Sequence, residues 1–270
     1  LEHVYGYRAV YPTNGVANKP VALPDGTVAY AAAAVVVLLS QKNKQRFFCG
    51  HDDDVLCLAK GPVDGKLGQL LASGQVGRKP PVLVWSADTL QTVSRLEEGI
   101  DRGVEAVGFS PSGHRVVSVG LDNNHTVTVW DWRKRYRVAV TKGHMESVHA
   151  IAYNPYASDE LTISMAAAKA YKVFTVTEPP ETVAGTDKVD GSMAKRTAAF
   201  GKLGTTTAGD PQVLLALEFL SDGRAVTGCA SGDVILWQGL NVDRVIRGVH
   251  SSPVRCVARL GDDRLVTGDG

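Results

Sequence analysis

The amino-acid sequence predicts an all-β protein built from a repeated four-stranded antiparallel sheet, and three observations indicate this fold. Apolar residues alternate with period two, glycine-containing turns separate the short runs, and a run that ends on an aromatic residue recurs along the chain. The recurring aromatic residues are Trp85, Trp130, Phe174 and Trp237. Their spacings are 45, 44 and 63 residues, so the third interval carries an insertion. A period of ~40–45 residues with strand alternation predicts a WD40-type β-propeller.

The order of these repeats predicts an incomplete propeller over residues 23–270. Residues 1–22 have a different composition and read as a separate segment ending in a loop. We expect a partial first blade of three strands, four complete blades and the start of a sixth. The expected ranges are Thr27–Phe48, His51–Leu96, Gly103–Val140, Gly143–Phe200, Pro211–Ile246, and a sixth blade that opens at Val249-His250. Because a blade presents an apolar face to each neighbour, the remaining strands are expected from chain outside this sequence.

The apolar run Val28–Leu39 is predicted to be two strands joined by a tight link near Ala33-Ala34. Twelve residues are too few to span a bilayer, which needs about 20. The chain carries 29 basic and 28 acidic residues, so no global field attracts it to nucleic acid or a membrane. Its four cysteines form no Cys-x-x-Cys pair and read as reduced thiols, three of them in or beside strands.

Histidines before the opening strands are predicted to be structural. Gly-His occurs at Gly50-His51 and Gly143-His144, with Val249-His250 as a looser version, and one Trp-Asp pair occurs at Trp130-Asp131. In a WD-type blade such a histidine bonds an aspartate in a turn and a Ser or Thr beside the tryptophan. The candidate turns are Ser112-Gly113, Asp222-Gly223 and Asp262-Asp263. The residues assigned structural roles on this basis are His51, His144, Asp131, Trp85, Trp130, Phe174 and Trp237.

No catalytic signature is present in the sequence. It contains no Gly-x-Ser-x-Gly, no phosphate-binding Gly-x-x-x-x-Gly-Lys-Ser/Thr and no His-Glu-x-x-His. Asp52-Asp53-Asp54 beside His51 suggests either a cation site or a solvated loop, and we favour the loop because the ligand spacing does not fit. We therefore predict a protein that is not an enzyme and has no cofactor and no metal.

The strongest surface feature is a basic run of four cations in five positions, Arg133, Lys134, Arg135 and Arg137 around Tyr136. It follows Trp132 and is predicted to lie in the hairpin between the third and outer strands of a blade. Such a run either docks an acidic partner or is ordinary solvated charge. The stretch Glu178–Asp210, rich in Thr and Gly, is predicted to be a loop with one strand near Thr197–Phe200.

The first eight residues, Leu-Glu-His-Val-Tyr-Gly-Tyr-Arg, resemble the end of the hydrophobic HELP motif of the echinoderm microtubule-associated protein-like family. The resemblance extends through Gly50–Val55, Ala72–Gln75, Trp85-Ser86 and Trp130–Trp132. It implies a tandem pair of atypical WD-repeat propellers, of which this chain would be most of the first. It also implies that the HELP-derived residues, including Tyr5 and Tyr7, pack in the core near the propeller junction.

The resemblance implies a non-catalytic scaffold that binds tubulin or microtubules and other cytoskeletal proteins. The balanced charge indicates that neither nucleic acid nor membrane is a partner. The expected location is the cytoplasmic cytoskeleton, with cilia and axonemes as specialised sites. Relatives often carry a coiled coil and a basic region upstream, so any oligomer is expected to form through regions outside this sequence. The alternative is a general propeller interaction hub that does not contact tubulin.

Overall fold

A computed structural model describes residues 1–6, 19–157, 161–177, 192–197, 213–261 and 264–270. Every regular element among these residues is a β-strand. Accordingly, the part of the chain that the structure describes has no helix long and apolar enough to cross a membrane. The described residues fall into two compact units, one ending at Met145 and the other beginning at Glu146.

The first unit opens with a four-stranded antiparallel sheet rather than the expected three strands. Its strands are β1 (Val21–Ala22), β2 (Val28–Ala32), β3 (Val35–Leu39) and β4 (Gln45–Phe48), in that order. The extra strand β1 is only two residues long, and its ladder to β2 is correspondingly short. The link between β2 and β3 is the predicted two-residue turn, in which Ala33 has φ of 52°.

Two further four-stranded sheets complete the first unit, and each runs in sequence order. The second sheet contains β5 (Val55–Asp64), β6 (Gly68–Gln75), β7 (Val82–Ser86) and β8 (Thr92–Leu96). The third sheet contains β9 (Val104–Phe109), β10 (Arg115–Gly120), β11 (Val127–Asp131) and β12 (Tyr136–Thr141).

The second unit repeats this plan twice and then adds a two-stranded sheet. The fourth sheet contains β13 (Val148–Tyr153), β14 (Thr162–Ala167), β15 (Ala170–Thr177) and β16 (Ser192–Thr197). The fifth sheet contains β17 (Leu214–Phe219), β18 (Ala225–Cys229), β19 (Val234–Gln238) and β20 (Asn241–Ile246). The last sheet contains β21 (Val254–Leu260) and β22 (Arg264–Asp269). Of the predicted insertion Glu178–Asp210, only residues 192–197 lie within the described residues. They form the outer strand of the fourth sheet, earlier than the strand expected near Thr197–Phe200.

Consecutive sheets in each unit pack through alternating side chains, which explains the period-two pattern of the sequence. In the first unit, Leu71 and Trp85 pack on the first sheet, whereas the intervening Leu70, Ala72 and Val84 pack on the third. The second unit is built in the same way, with Trp237 packed on the fourth sheet and Val226 on the last. The inner strands of the second and fifth sheets therefore bury both faces.

A glycine at one register position lets neighbouring sheets approach closely. Gly74 in β6 and Gly228 in β18 each follow a buried hydroxyl residue and face the first strand of the next sheet. A Cβ on Gly228 would lie 2.7 Å from Val254 Cγ1, and one on Gly74 would overlap Val104. Absence of a side chain is thus required by packing at these two positions, although their backbone conformation is ordinary.

Candidate functional site

A buried hydrogen-bond chain links the core of the second sheet to its surface. Trp85 Nε1 donates to Ser73 Oγ at 3.0 Å, and Ser73 Oγ lies 2.6 Å from His51 Nε2. His51 Nδ1 lies 2.7 Å from Gln75 Oε1, and Gln75 Nε2 donates to Asp52 and to a backbone carbonyl. Trp85 and Ser73 are fully buried, whereas Asp52 is exposed.

The proton positions in this chain follow from the partners. Gln75 Nε2 is occupied as a donor, so Gln75 Oε1 accepts and His51 Nδ1 must carry the proton. Burial, only partly offset by the Gln75 bond, lowers the pKa of His51 to about 4, so its ring is neutral at pH 7. His51 Nε2 is then an acceptor for the Ser73 hydroxyl, which in turn accepts from Trp85. Every polar atom named in the chain is satisfied, as a structural network requires.

The partner of His51 differs from the turn aspartate that the sequence suggested. Gln75 ends β6, and the turn residue Asp222 instead bonds Arg224. Asp262-Asp263 lie outside the described residues. The acidic loop, Asp52-Asp53-Asp54, likewise has a structural role. Asp52 accepts a hydrogen bond from Gln75, and Asp53 accepts one from the Asp54 amide. Among the described residues, no group of three or more His, Cys, Asp or Glu is arranged to hold a metal.

The other aromatic anchors take the register position of Trp85. Trp130 Nε1 donates to Ser118 Oγ at 2.8 Å, and Trp237 Nε1 donates to Thr227 Oγ1 at 2.9 Å. In the fourth sheet, Phe174 replaces tryptophan, and Met165 replaces the hydroxyl residue at the matching position of β14. The indole N–H and its hydroxyl acceptor are therefore absent together. The fourth sheet keeps the buried aromatic ring at this position without an unpaired indole N–H.

The two other histidines singled out in the sequence, His144 and His250, match the hydrogen bonding of His51 to different degrees. His250 Nε2 lies 2.8 Å from Thr267 Oγ1, and His250 Nδ1 lies 3.5 Å from Asp269, which occupies the register position of Gln75. His144 is half-buried after β12. The residues of the fourth sheet that match Ser73 and Gln75 are Met165 and Ala167. That sheet therefore has no equivalent hydroxyl or carboxamide for a histidine.

Asp131 of the Trp-Asp pair has two defined partners. Its Oδ2 accepts from Arg115 at 2.8 Å, and its Oδ1 accepts from the Lys134 amide at 2.9 Å. The first bond joins the ends of β10 and β11, and the second closes the hairpin that carries the basic run. The Asp131 side chain is 8% exposed, so this ion pair is shielded from solvent.

The basic run lies where the sequence places it, in residues 132–135 and the start of β12, but much of its charge is engaged within the chain. Arg133 stacks on Trp132 at 4.3 Å and donates to Asp64 at 3.0 Å. Arg137 pairs with Glu98 at 3.5 Å, and Arg135 donates to the Val93 carbonyl. Lys134 is exposed and its side chain makes no contact of this kind within the described residues. The surface available to a partner is therefore centred on Lys134 and Arg135.

Gln45 hydrogen-bonds the N-terminal segment. Gln45 Oε1 accepts from the Val4 amide at 2.8 Å, and Gln45 Nε2 donates to the Val4 carbonyl at 3.0 Å. Tyr5 is 89% exposed within the first unit, and its packing at the junction of two propellers stays a prediction. Tyr7 lies outside the described residues.

Sequence reasoning did not identify Gln45, Gln75 or a polar cleft beside the acidic loop. Only Gln75 has a detectable signal, because it stands two residues after Ser73 as Asp269 stands two residues after Thr267. Aligning the repeats on their hydroxyl residues would have marked this position. Nothing local distinguishes the other two features.

Comparison with known proteins identifies the fold and the relatives of this chain. A family model described as the echinoderm microtubule-associated protein first beta-propeller matches residues 44–270. The β-propeller domain of Cps50 (Swd1) from Myceliophteria thermophila has a TM-score of 0.61 at 16% identity, covering 80% of this chain and 63% of that one. The predicted WD40-type propeller fold is thereby confirmed.

Curated relatives match the chain along its whole length. Echinoderm microtubule-associated protein-like 1 of Mus musculus is 31% identical, and echinoderm microtubule-associated protein-like 2 of Homo sapiens is 32% identical, each over 280 aligned residues. The 77 kDa echinoderm microtubule-associated protein of Strongylocentrotus purpuratus is 30% identical over 278 residues. The chain spans 32%, 40% and 37% of these three proteins respectively.

Proposed function

The chain belongs to the echinoderm microtubule-associated protein-like family, and from that premise we propose that it is a propeller scaffold that binds tubulin or the microtubule lattice. The observation that carries the proposal is similarity along all 270 residues to relatives named as microtubule-associated proteins. The family and the WD-type propellers are structural proteins, and the chain is not an enzyme.

The proposed contact is electrostatic and lies on an exposed loop surface. Tubulin surfaces and tails are acidic, and the basic run offers Lys134 and Arg135 to them. Arg133, which is 42% exposed, and Arg137, which is 25% exposed, support this surface through their pairs with Asp64 and Glu98. Exposed ion pairs are screened over about 8–10 Å at physiological salt, so binding should weaken as salt is added.

The proposal extends to organisation and location. Residues 1–22 are proposed to be the end of a HELP motif, and residues 23–270 most of the first propeller of a tandem pair. We place the protein in the cytoplasm on cytoskeletal microtubules, with cilia and axonemes as specialised arrays. Other cytoskeletal proteins are further proposed partners, nucleic acid and membranes are not, and oligomers would form through regions outside this chain.

Co-sedimentation with stabilised microtubules at low and high salt tests the proposal. The chain should enter the pellet at low salt and leave it at high salt. Lys134→Glu with Arg135→Glu should reduce pelleting, whereas Lys42→Glu with Lys44→Glu, two exposed cations in the β3–β4 turn, should not. Absence from the pellet at low salt would count against this region. Affinity capture of a protein other than tubulin would then favour the interaction-hub alternative.

A further inference from the structure

A small polar cleft in the first unit lies beside the outer end of the His51 chain. It has a volume of about 190 Å³ and is bordered by the acidic loop, by the loop between β6 and β7, and by β8. The charged residues that line it are Asp52, Asp53, Arg78, Lys79 and Arg95. Its lining is almost entirely polar, which is unsuited to an apolar ligand.

Two cations of this cleft have no partner in the part of the chain that the structure describes. Arg78 and Lys79 are both exposed, and neither takes part in an ion pair or side-chain hydrogen bond there. This separates them from Arg133 and Arg137 of the basic run, whose charges are already paired. Arg95, the third cation, pairs with Glu97 at the surface.

The loop that carries these cations is held in place from both sides. The Val76 amide donates to the Asp54 carbonyl, and the Gly77 amide donates to the Arg102 carbonyl, each at 3.0 Å. Lys79 has φ of 54°, a left-handed conformation that is unfavourable for a non-glycine residue. The buried residues Pro80 and Pro81 follow and restrict the backbone further. The backbone of Arg78 and Lys79 is thus held in place before any ligand arrives.

The charge balance selects the class of anion. Arg95 is already paired with Glu97, so Arg78 and Lys79 provide the positive charge available in the cleft, opposite Asp52 and Asp53. A carboxylate brings one negative charge to these two cations. A phosphate monoester, with a charge of roughly −1.5 to −2, would face stronger repulsion from Asp52 and Asp53 than a carboxylate does. The same two carboxylates can accept backbone N–H groups of an incoming peptide.

We propose that this cleft binds a glutamate or aspartate side chain of an acidic peptide segment, with Arg78 and Lys79 as its principal contacts. The inference rests on the proposed function only for the source of that peptide, an acidic tail of the microtubule surface. The cleft itself is defined by residues distinct from the basic run and can be tested without microtubules.

The test is fluorescence anisotropy of a labelled hexaglutamate peptide with the full chain at low ionic strength. Arg78→Gln with Lys79→Gln should weaken binding roughly tenfold, because each exposed ion pair contributes a factor of a few. The matched control, Lys42→Gln with Lys44→Gln, removes the same charge from the same unit and should leave binding within about twofold. Urea unfolding of both variants verifies that they remain folded.

Three results would overturn the inference. These are no binding of the peptide, equal loss in the control variant, and displacement of the peptide by inorganic phosphate as effectively as by free glutamate peptide. Parallel co-sedimentation separates this inference from the proposed function. If the chain pellets with microtubules but does not bind the peptide, the proposed function stands and the cleft proposal fails. If it binds the peptide but does not pellet, the cleft proposal stands and the proposed function fails.

Discussion

Replacing Ser73 by alanine should destabilise the protein more than replacing Ser118, although both serines are buried at the same register position. Ser73→Ala removes the hydroxyl that accepts from Trp85 and donates to His51. Ser118→Ala removes only the acceptor of Trp130. The two substitutions delete the same atom from equivalent strands of the same unit, so they form a matched pair.

The magnitude follows from the number of polar groups left unpaired. A buried donor or acceptor without a partner costs about 1–3 kcal/mol. Ser118→Ala leaves only the Trp130 N–H unpaired, so it should lower the free energy of unfolding by about 1–3 kcal/mol. Ser73→Ala leaves both the Trp85 N–H and His51 Nε2 unpaired, so it should lower the free energy of unfolding by about 2–6 kcal/mol. Trp85, Trp130 and both serines are at most 1% exposed, so water cannot easily replace the lost partner.

Urea unfolding at pH 7, followed by tryptophan fluorescence, measures the difference. The decisive comparison repeats Ser73→Ala in a His51→Ala background, where only the Trp85 N–H is left unpaired. There its cost should fall to that of Ser118→Ala. Equal costs of the two serine substitutions in the wild-type background, or an undiminished cost of Ser73→Ala without His51, would refute the hydrogen-bond chain described above.

Three further perturbations test other parts of the structure. Acidification from pH 7 to pH 5 should lower the free energy of unfolding by about 2 kcal/mol through His51. The pKa of His51 is about 4 in the folded protein and near 6.5 in the unfolded chain. Its contribution to stability is therefore complete above pH 6.5 and is lost as the pH falls toward 4. His51→Gln should flatten this part of the pH profile, and an unchanged slope would assign the effect to another group. Gly74→Ala should cost about 1–3 kcal/mol in urea unfolding, because its Cβ would overlap Val104. Gly65→Ala, which faces open space, should be nearly neutral and serves as the control; equal effects would show that packing against Val104 does not determine the cost. Tyr171→Phe should cost about 1 kcal/mol, because Tyr171 donates to Ser164 at 3.0 Å in the fourth sheet. A stability unchanged within error would show that Ser164 finds another partner.

Periodic features of this protein could be predicted from its sequence, whereas contacts between distant residues could not. The anchors Trp85, Trp130 and Trp237 are recognisable because each repeats with its strand pattern, and the same pattern locates the turn at Ala33-Ala34. The Arg133–Asp64 pair joins residues 69 positions apart and depends on how two sheets pack. No local pattern marks it, so the basic run appeared more available to a partner than it is.

Short elements and termini were also beyond sequence reasoning. Strand β1 has two residues, which is a single period of the strand alternation and too short to detect. Tyr5 is exposed in this unit, and its packing at the junction of two propellers stays a prediction. The cleft between Asp52 and Arg78 needs the β6–β7 loop to fold back beside the acidic loop, and the two loops are separated in sequence by strands β5 and β6. A sequence pattern shows which face a residue occupies but not which loops become neighbours.

The turn at Ala33 has a consequence for the order in which the first unit folds. Its carbonyl accepts from the Val55 amide at 2.9 Å, so the left-handed alanine is stabilised by a strand of the next sheet. An isolated β2–β3 hairpin lacks this support, and we expect its native turn to form only once β5 has docked. Pulse-labelling hydrogen exchange should therefore show the Val55 amide acquiring protection together with the amides of β3; protection of β3 well before Val55 would contradict this coupling.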